Sequence, residues 1–200
     1  RIKFEENLQN VNISLDEQQR RVRLLYELSA SSNLSTDEQL AATLKAGIDN
    51  LGMDLGIISQ IREEEYKVLH FVPESSGLKQ GMIFDLGDTY CSIALVAEDI
   101  IAIDEIKASK YSSHPCYAAF NLESYIGVPI RVNGESFGTL NFSRSEARQS
   151  PFTDADHDFV RLMGQWVSRV LEQDNATKKL VQSEERFRAL GRSAVAGVIT

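Results

Sequence analysis

Ser124-Tyr125-Ile126-Gly127-Val128-Pro129-Ile130, then Asn133-Gly134, then Gly138-Thr139-Leu140-Asn141-Phe142 is the stretch on which the fold turns. Two apolar, β-branched runs, residues 125–132 and 136–143, flank a dipeptide whose members both tolerate the positive φ of a two-residue turn. They predict an antiparallel hairpin. Residues 55–61 and 66–72 repeat the pattern around the charged stretch from Arg62 to Glu65 and predict a second hairpin.

The segments outward from these hairpins carry helical signals. Ser35 with Glu38 forms a capping box ahead of Leu40, Leu44, Ile48 and Leu51, and Gly52 ends that helix. Thr153 opens another, with Asp154 and Asp156 where negative charge meets the positive end of the helix dipole. Its seam runs through Phe159, Met163, Trp166, Val170, Leu180 and Phe187, with polar Gln173, Thr177 and Glu184 between, so the helix is expected to project beyond the domain. At the other end Phe4, Leu8, Val11, Leu15, Val22 and Leu25 follow a four-three alternation broken only by Gln18, a heptad seam suited to pairing with another helix. The middle is less regular. Gly77, Gly81 and Gly87 precede a short helix expected over residues 90–96, a β-branched run over 100–106 and a helical turn within 112–121.

The chain of 200 residues, 42% hydrophobic, has enough material for one sizeable core plus appendages. With a formal net charge of -8 and interspersed charges, it offers no basic face to nucleic acid or an anionic membrane. No apolar run approaches the roughly 20 residues that cross a bilayer, so no membrane contact is expected of this segment. Cys91 and Cys116 are the only cysteines and have no metal-type spacing, which suits a reducing cytoplasm.

The quoted strand pair, together with Pro151-Phe152-Thr153 and Asp156, resembles the C-terminal half of GAF domains, and the order of elements over residues 34–171 is similar to that family as well. The resemblance implies an α/β fold of the α+β kind: a six-stranded antiparallel sheet with helices on one face and a ligand cavity on the other, under the irregular middle segment. Residues 1–33 then read as an entering signalling helix and 172–186 as a linker helix. Ser183-Glu184-Glu185-Arg186-Phe187-Arg188-Ala189-Leu190 and the residues after it resemble the opening of a PAS domain, assigned to 187–200. Tandem GAF and PAS modules resemble the sensor regions of histidine kinases and diguanylate cyclases. The expectation is therefore a sensory input and relay module of a two-component histidine kinase, homodimeric through its terminal helices, acting on PAS and output domains of the same chain.

Catalytic motifs are missing: there is no Gly-x-Ser-x-Gly elbow, phosphate loop, His-Glu-x-x-His or kinase catalytic loop. This segment is expected not to be an enzyme, although the full-length protein would be a kinase. His157, between Asp156 and Asp158, lacks the downstream Arg and Pro of a phospho-accepting histidine and reads as a solvated helix residue. His70 reads as a surface or partly buried strand residue.

Tyr111, His114, Cys116, Tyr117 and Phe120, with Asp104, fall where the family's pocket-lining segment lies; Tyr90, Cys91 and Tyr125 complete the candidate ligand-binding set. Aromatic faces beside an imidazole and a carboxylate suit a planar, polar-edged ligand. The competing view makes Tyr117 and Phe120 core residues and His114 a turn residue ahead of Pro115, with the pocket closed. No cofactor or metal is expected. One alternative is a photoreceptor carrying a covalent bilin on Cys116 or Cys91, but the order His114-Pro115-Cys116 departs from the Cys-His anchor of that group, and both thiols read as small apolar filler. Another is a ligand-free structural relay. The Asn-Lys-x-x-x-Phe-x-x-x-Asp-Glu pattern associated with cyclic-nucleotide binding is absent.

Overall fold

The computed structural model describes residues 34–196, with side-chain environments as far as Arg188, and also Leu15, Gln19, Val22 and Tyr26. Those four N-terminal residues are helical and exposed; Phe4, Leu8, Val11 and Leu25 of the expected heptad seam, and residues 197–200, lie outside the described residues. Six strands, β1 (Leu55–Arg62), β2 (Glu65–Val72), β3 (Ile83–Asp85), β4 (Ile101–Ile103), β5 (Ser124–Val132) and β6 (Glu135–Arg144), form one sheet in the order β3-β2-β1-β6-β5-β4. Every pairing is antiparallel. Within residues 34–196 four α-helices accompany it: α1 (Thr36–Leu51), α2 (Cys91–Ala97), α3 (Pro115–Phe120) and α4 (Asp154–Ala196). None of them is long and apolar enough to cross a membrane.

Local chemistry accounts for the element ends. Ser35 Oγ accepts from the Glu38 N–H (3.3 Å) while the Glu38 carboxylate accepts from the Ser35 N–H (2.8 Å), closing the capping box of α1. Gly52 ends α1 in the left-handed region at φ 64°. Asn133 and Gly134 take φ 53° and 82°, as the β5–β6 turn requires. Thr153 and Asp156 cap α4 reciprocally: Thr153 Oγ1 accepts from the Asp156 N–H and the Asp156 carboxylate accepts from the Thr153 N–H (2.8 Å).

Helices α1 and α4 cover one face of the sheet. They run antiparallel, because Thr36 at the start of α1 donates to the Asp174 carboxylate (3.1 Å) while Gly47 near its end lies under Met163. Alternation along the strands sorts the side chains. Ile126, Val128, Ile130, Leu140 and Phe142 join Leu40 and Leu44 of α1 and Phe159, Met163 and Val167 of α4 in the larger core. Tyr66, Val68 and Tyr125 face the other way and pack with Tyr90, Cys91, Ile103, Ile106 and Cys116 of the middle segment.

Two expectations change. The run 100–106 is a strand only over Ile101–Ile103, because Asp104 leaves the ladder to accept from the Phe152 N–H (2.7 Å) and the Ile106 N–H turns to the Glu123 carbonyl (2.8 Å). His157 is half-buried, not solvated: α4 lies on the sheet there, and Nε2 is shielded without a partner among the described residues. The apolar positions of α4 divide as a helix projecting beyond the domain requires, with Phe159, Met163 and Val170 buried but Leu180 and Phe187 exposed (62% and 72%), because α4 outruns the sheet.

Gly138 is where β6 passes closest to β1. A Cβ there would lie 1.9 Å from the Ser59 carbonyl oxygen, a backbone atom that no rotamer change can move. Gly138→Ala is expected to cost about 1–3 kcal/mol, the range for overpacking, read as a lower urea midpoint at unchanged m-value.

Candidate functional site

On the face opposite α1 and α4, the sheet and the middle segment line a half-open cavity of about 280 Å³. Its floor is Leu55 and Ile57 of β1, Tyr66 of β2, Tyr125 of β5, and Asn141 and Ser143 of β6. Its walls and cover are Ser76 and Leu78, Phe84 of β3, Thr89, Tyr90 and Cys91 at the start of α2, Cys116 and Phe120 of α3, and Leu122.

A neutral polar ladder crosses the floor. Ser59 and Thr139 hydroxyls meet at 2.9 Å; the Asn141 amide nitrogen lies 3.4 Å from Thr139 Oγ1, 3.3 Å from Tyr66 Oη and 3.4 Å from Cys91 Sγ, three acceptors shared by its two N–H groups. Tyr125 Oη donates to Cys91 Sγ at 3.5 Å. Paired in this way, buried amides and hydroxyls avoid most of the cost of leaving water. Tyr90 is the exception: it is 1% exposed, yet its hydroxyl has no partner among the described residues.

Burial sets the protonation states. It raises the Tyr66 and Tyr125 hydroxyls well above the usual tyrosine range, raises Tyr90 and Cys91, and pushes Cys116 up to about 12. Both thiols, unpaired and buried, are therefore protonated at neutral pH and poor nucleophiles. Among the described residues, no lysine, arginine, histidine, aspartate or glutamate lines the cavity. No cluster of metal-ligating side chains occurs among the described residues.

Of the candidate residues, the fold brings Tyr90, Cys91, Cys116, Phe120 and Tyr125 together around the cavity and leaves Asp104, Tyr111, His114 and Tyr117 off its lining. Asp104 holds the segment ahead of α4 through Phe152. Tyr111 lies in a shallow surface groove with Ile93 and Val96, its ring 5.0 Å from Lys110 Nζ. His114 caps α3, Nδ1 accepting from the Cys116 N–H (3.2 Å), and its ring sits 5.2 Å from that of Tyr90, behind the wall. Tyr117 turns outward and donates to the Glu123 carboxylate.

Tyr66, Phe84 and Asn141 are lining residues that sequence reasoning missed. Asn141 had a readable signal, an amide between Leu140 and Phe142 in an apolar strand. Tyr66 and Phe84 had none, since their role depends on how the middle segment folds back.

A family profile described as "GAF domain" matches residues 35–171. Among solved structures, the chain is similar to the GAF domain of an Acinetobacter phosphoenolpyruvate-protein phosphotransferase, with 18% identity, TM-score 0.61, and coverage of 84% of this chain and 98% of that one. It is similar to the phycocyanobilin-bound GAF domain of a cyanobacterial phytochrome (16%, TM-score 0.64, 78% and 96%). A third similar structure is free methionine-R-sulfoxide reductase from Neisseria meningitidis in complex with its substrate (15%, TM-score 0.64, 80% and 93%). At these identities the likeness is one of fold.

The His114 cap makes the cover of the cavity pH-sensitive. Burial lowers the imidazole below its ordinary 6.5, outweighing the opposing Asp88 charge, so the unfolded chain takes up the proton first as pH falls. This stability is complete above about pH 6.5 and declines below it; His70, also lowered mainly by burial, adds in the same direction. The thermal midpoint is expected to drop between about pH 7.5 and about pH 5.5, and to drop less in His114→Asn, which keeps a capping side chain.

Proposed function

The chain belongs to the GAF domain family, and from that premise we propose that it is the sensory input and relay module of a longer two-component signalling protein, a sensor histidine kinase. A small molecule or partner segment engages the cavity, and the change travels along α4 to a PAS domain beginning near residue 187 and then to an output domain. Buried unpaired thiols support a reducing, cytoplasmic setting.

The observation that carries this reading is that β5 and β6 are shared walls. Tyr125 and Asn141 face the cavity while their neighbours Ile126 and Phe142 pack in the core that holds α4. Gly164 of α4 sits so close to β5 that a Cβ would meet Val128 at 2.8 Å. A displacement of the strands on one side is passed to α4 on the other, because a close-packed interface has no slack to absorb it.

Homodimerisation through the terminal helices completes the proposal. Leu180 and Phe187, seven residues apart on the projecting part of α4, are 62% and 72% exposed, and Leu15 and Val22 repeat the spacing at the N-terminus with 53% and 63%. Apolar side chains at heptad spacing suit a coiled-coil seam. Sedimentation at high micromolar concentration is expected to show a dimer, and a monomer there would refute the dimeric relay. Leu180→Glu with Phe187→Glu is expected to weaken the dimer by about tenfold or more, since burial of each side chain contributes roughly 1.5–3 kcal/mol.

A further inference from the structure

We propose that Asn133 is a site of spontaneous deamidation, and that its conversion to aspartate or isoaspartate releases the β5–β6 turn from α4. This goes beyond the sensory reading and does not depend on it.

The chemistry is local. The Gly134 backbone nitrogen, once deprotonated, attacks Asn133 Cγ; the new C–N bond closes a succinimide ring, the Cγ–Nδ2 bond breaks, and ammonia leaves with a proton taken from water. Water then opens the ring at either carbonyl. Cleavage at Cγ gives aspartate, and cleavage at the main-chain carbonyl gives isoaspartate, in which the backbone runs through the β-carbon. One water enters and one ammonia leaves, so no oxidant, cofactor or partner protein is needed. A side chain on the following residue hinders ring closure, and glycine has none. Asn133 is the only asparagine of the chain that precedes glycine.

The turn presents the reacting groups to water. Asn133 and Gly134 are exposed, and the ladder closes on the Val132–Glu135 pair, which leaves the Gly134 N–H without a hydrogen-bond partner among the described residues. Asn121 supplies a comparison within the same chain: it is exposed and has φ 52° against 53° for Asn133, but Leu122 follows it. The product acts on α4 because the Asn133 N–H donates to the Glu172 carboxylate (2.7 Å), directly after Leu171 of the larger core. Either product adds a carboxylate within a few bonds of the nitrogen that Glu172 holds, and like charges so placed repel. Arg131, the cation of this turn, is already paired with Glu98 (3.2 Å). Isoaspartate also lengthens the main chain inside a two-residue turn that sets the strand register.

Incubation of the purified protein in mildly alkaline buffer, followed by peptide mass spectrometry, tests the site. The peptide carrying Asn133 is expected to gain the mass of an amide-to-acid exchange well before the peptide carrying Asn121, and to become a substrate for an isoaspartyl methyltransferase. Asn133→Gly, which keeps the positive φ, is expected to lose both signals. Conversion at Asn133 no faster than at Asn121 would overturn the proposal. The more acidic product separates by anion exchange. In it, and in Asn133→Asp, hydrogen exchange at the residue-133 amide is expected to quicken by about 10-fold or more, the range for losing one hydrogen bond to a charged group. Adding Glu172→Gln to Asn133→Asp is expected to restore part of that protection, because it removes one of the two charges and keeps an acceptor. Unchanged exchange in the product and in Asn133→Asp would overturn the release from α4, as would a loss that Glu172→Gln leaves untouched.

Discussion

Burial of β5 and β6 on both faces forces successive side chains into different surroundings. Ile126, Val128 and Ile130 must satisfy the packing of α1 and α4, while Tyr125 and Asn141 between them must satisfy a cavity and its polar ladder. Few substitutions are tolerated on such strands, and few movements are private to one face. The close approaches follow from the same constraint: Gly138 lets β6 run against β1, Gly47 lets α1 rest on the Phe142 ring, and Gly164 lets α4 rest on Val128. The larger core is therefore tight where the sheet meets its helices, and the free space lies on the opposite side, under short helices and loops.

That asymmetry separates stability from response. The helix-covered face supplies most of the large buried aliphatic side chains and fixes α4 between Phe159 and Leu171. The cavity face is held by helices of seven and six residues, α2 and α3, and by side-chain bonds such as those from Tyr117 to Glu123 and from the Cys116 N–H to His114. Segments with fewer buried apolar contacts open at lower cost, so the cover of the cavity opens before the helix-covered core does.

The parts legible in the sequence were those written locally. The Asn133-Gly134 turn, the Ser35–Glu38 box and the Gly52 stop are short-range signals, and each holds in the structure. Alternation in β5 and β6 likewise announced strands. Cavity membership was less legible because it depends on which side of a short helix turns inward. On α3, Cys116 and Phe120 are four residues apart and share the inner face, while the Tyr117 hydroxyl is bonded to Glu123 off the lining. His114, directly before Pro115, caps α3, a role its place in the sequence allows but does not announce. Asp104 was drawn off by the Phe152 N–H from a segment more than forty residues later in the chain, a contact that no local pattern reports.

Amide hydrogen exchange in Gly127→Ala tests the shared-wall account most directly. The added methyl lies on the cavity face of β5, against Tyr125 Oη at 2.2 Å, and meets neither α1 nor α4. If the strands couple the two faces, exchange quickens across residues 159–171 of α4 as well as in β5. If it quickens only in β4, β5, α2 and α3, with α4 unchanged, the two faces are independent and the account is wrong.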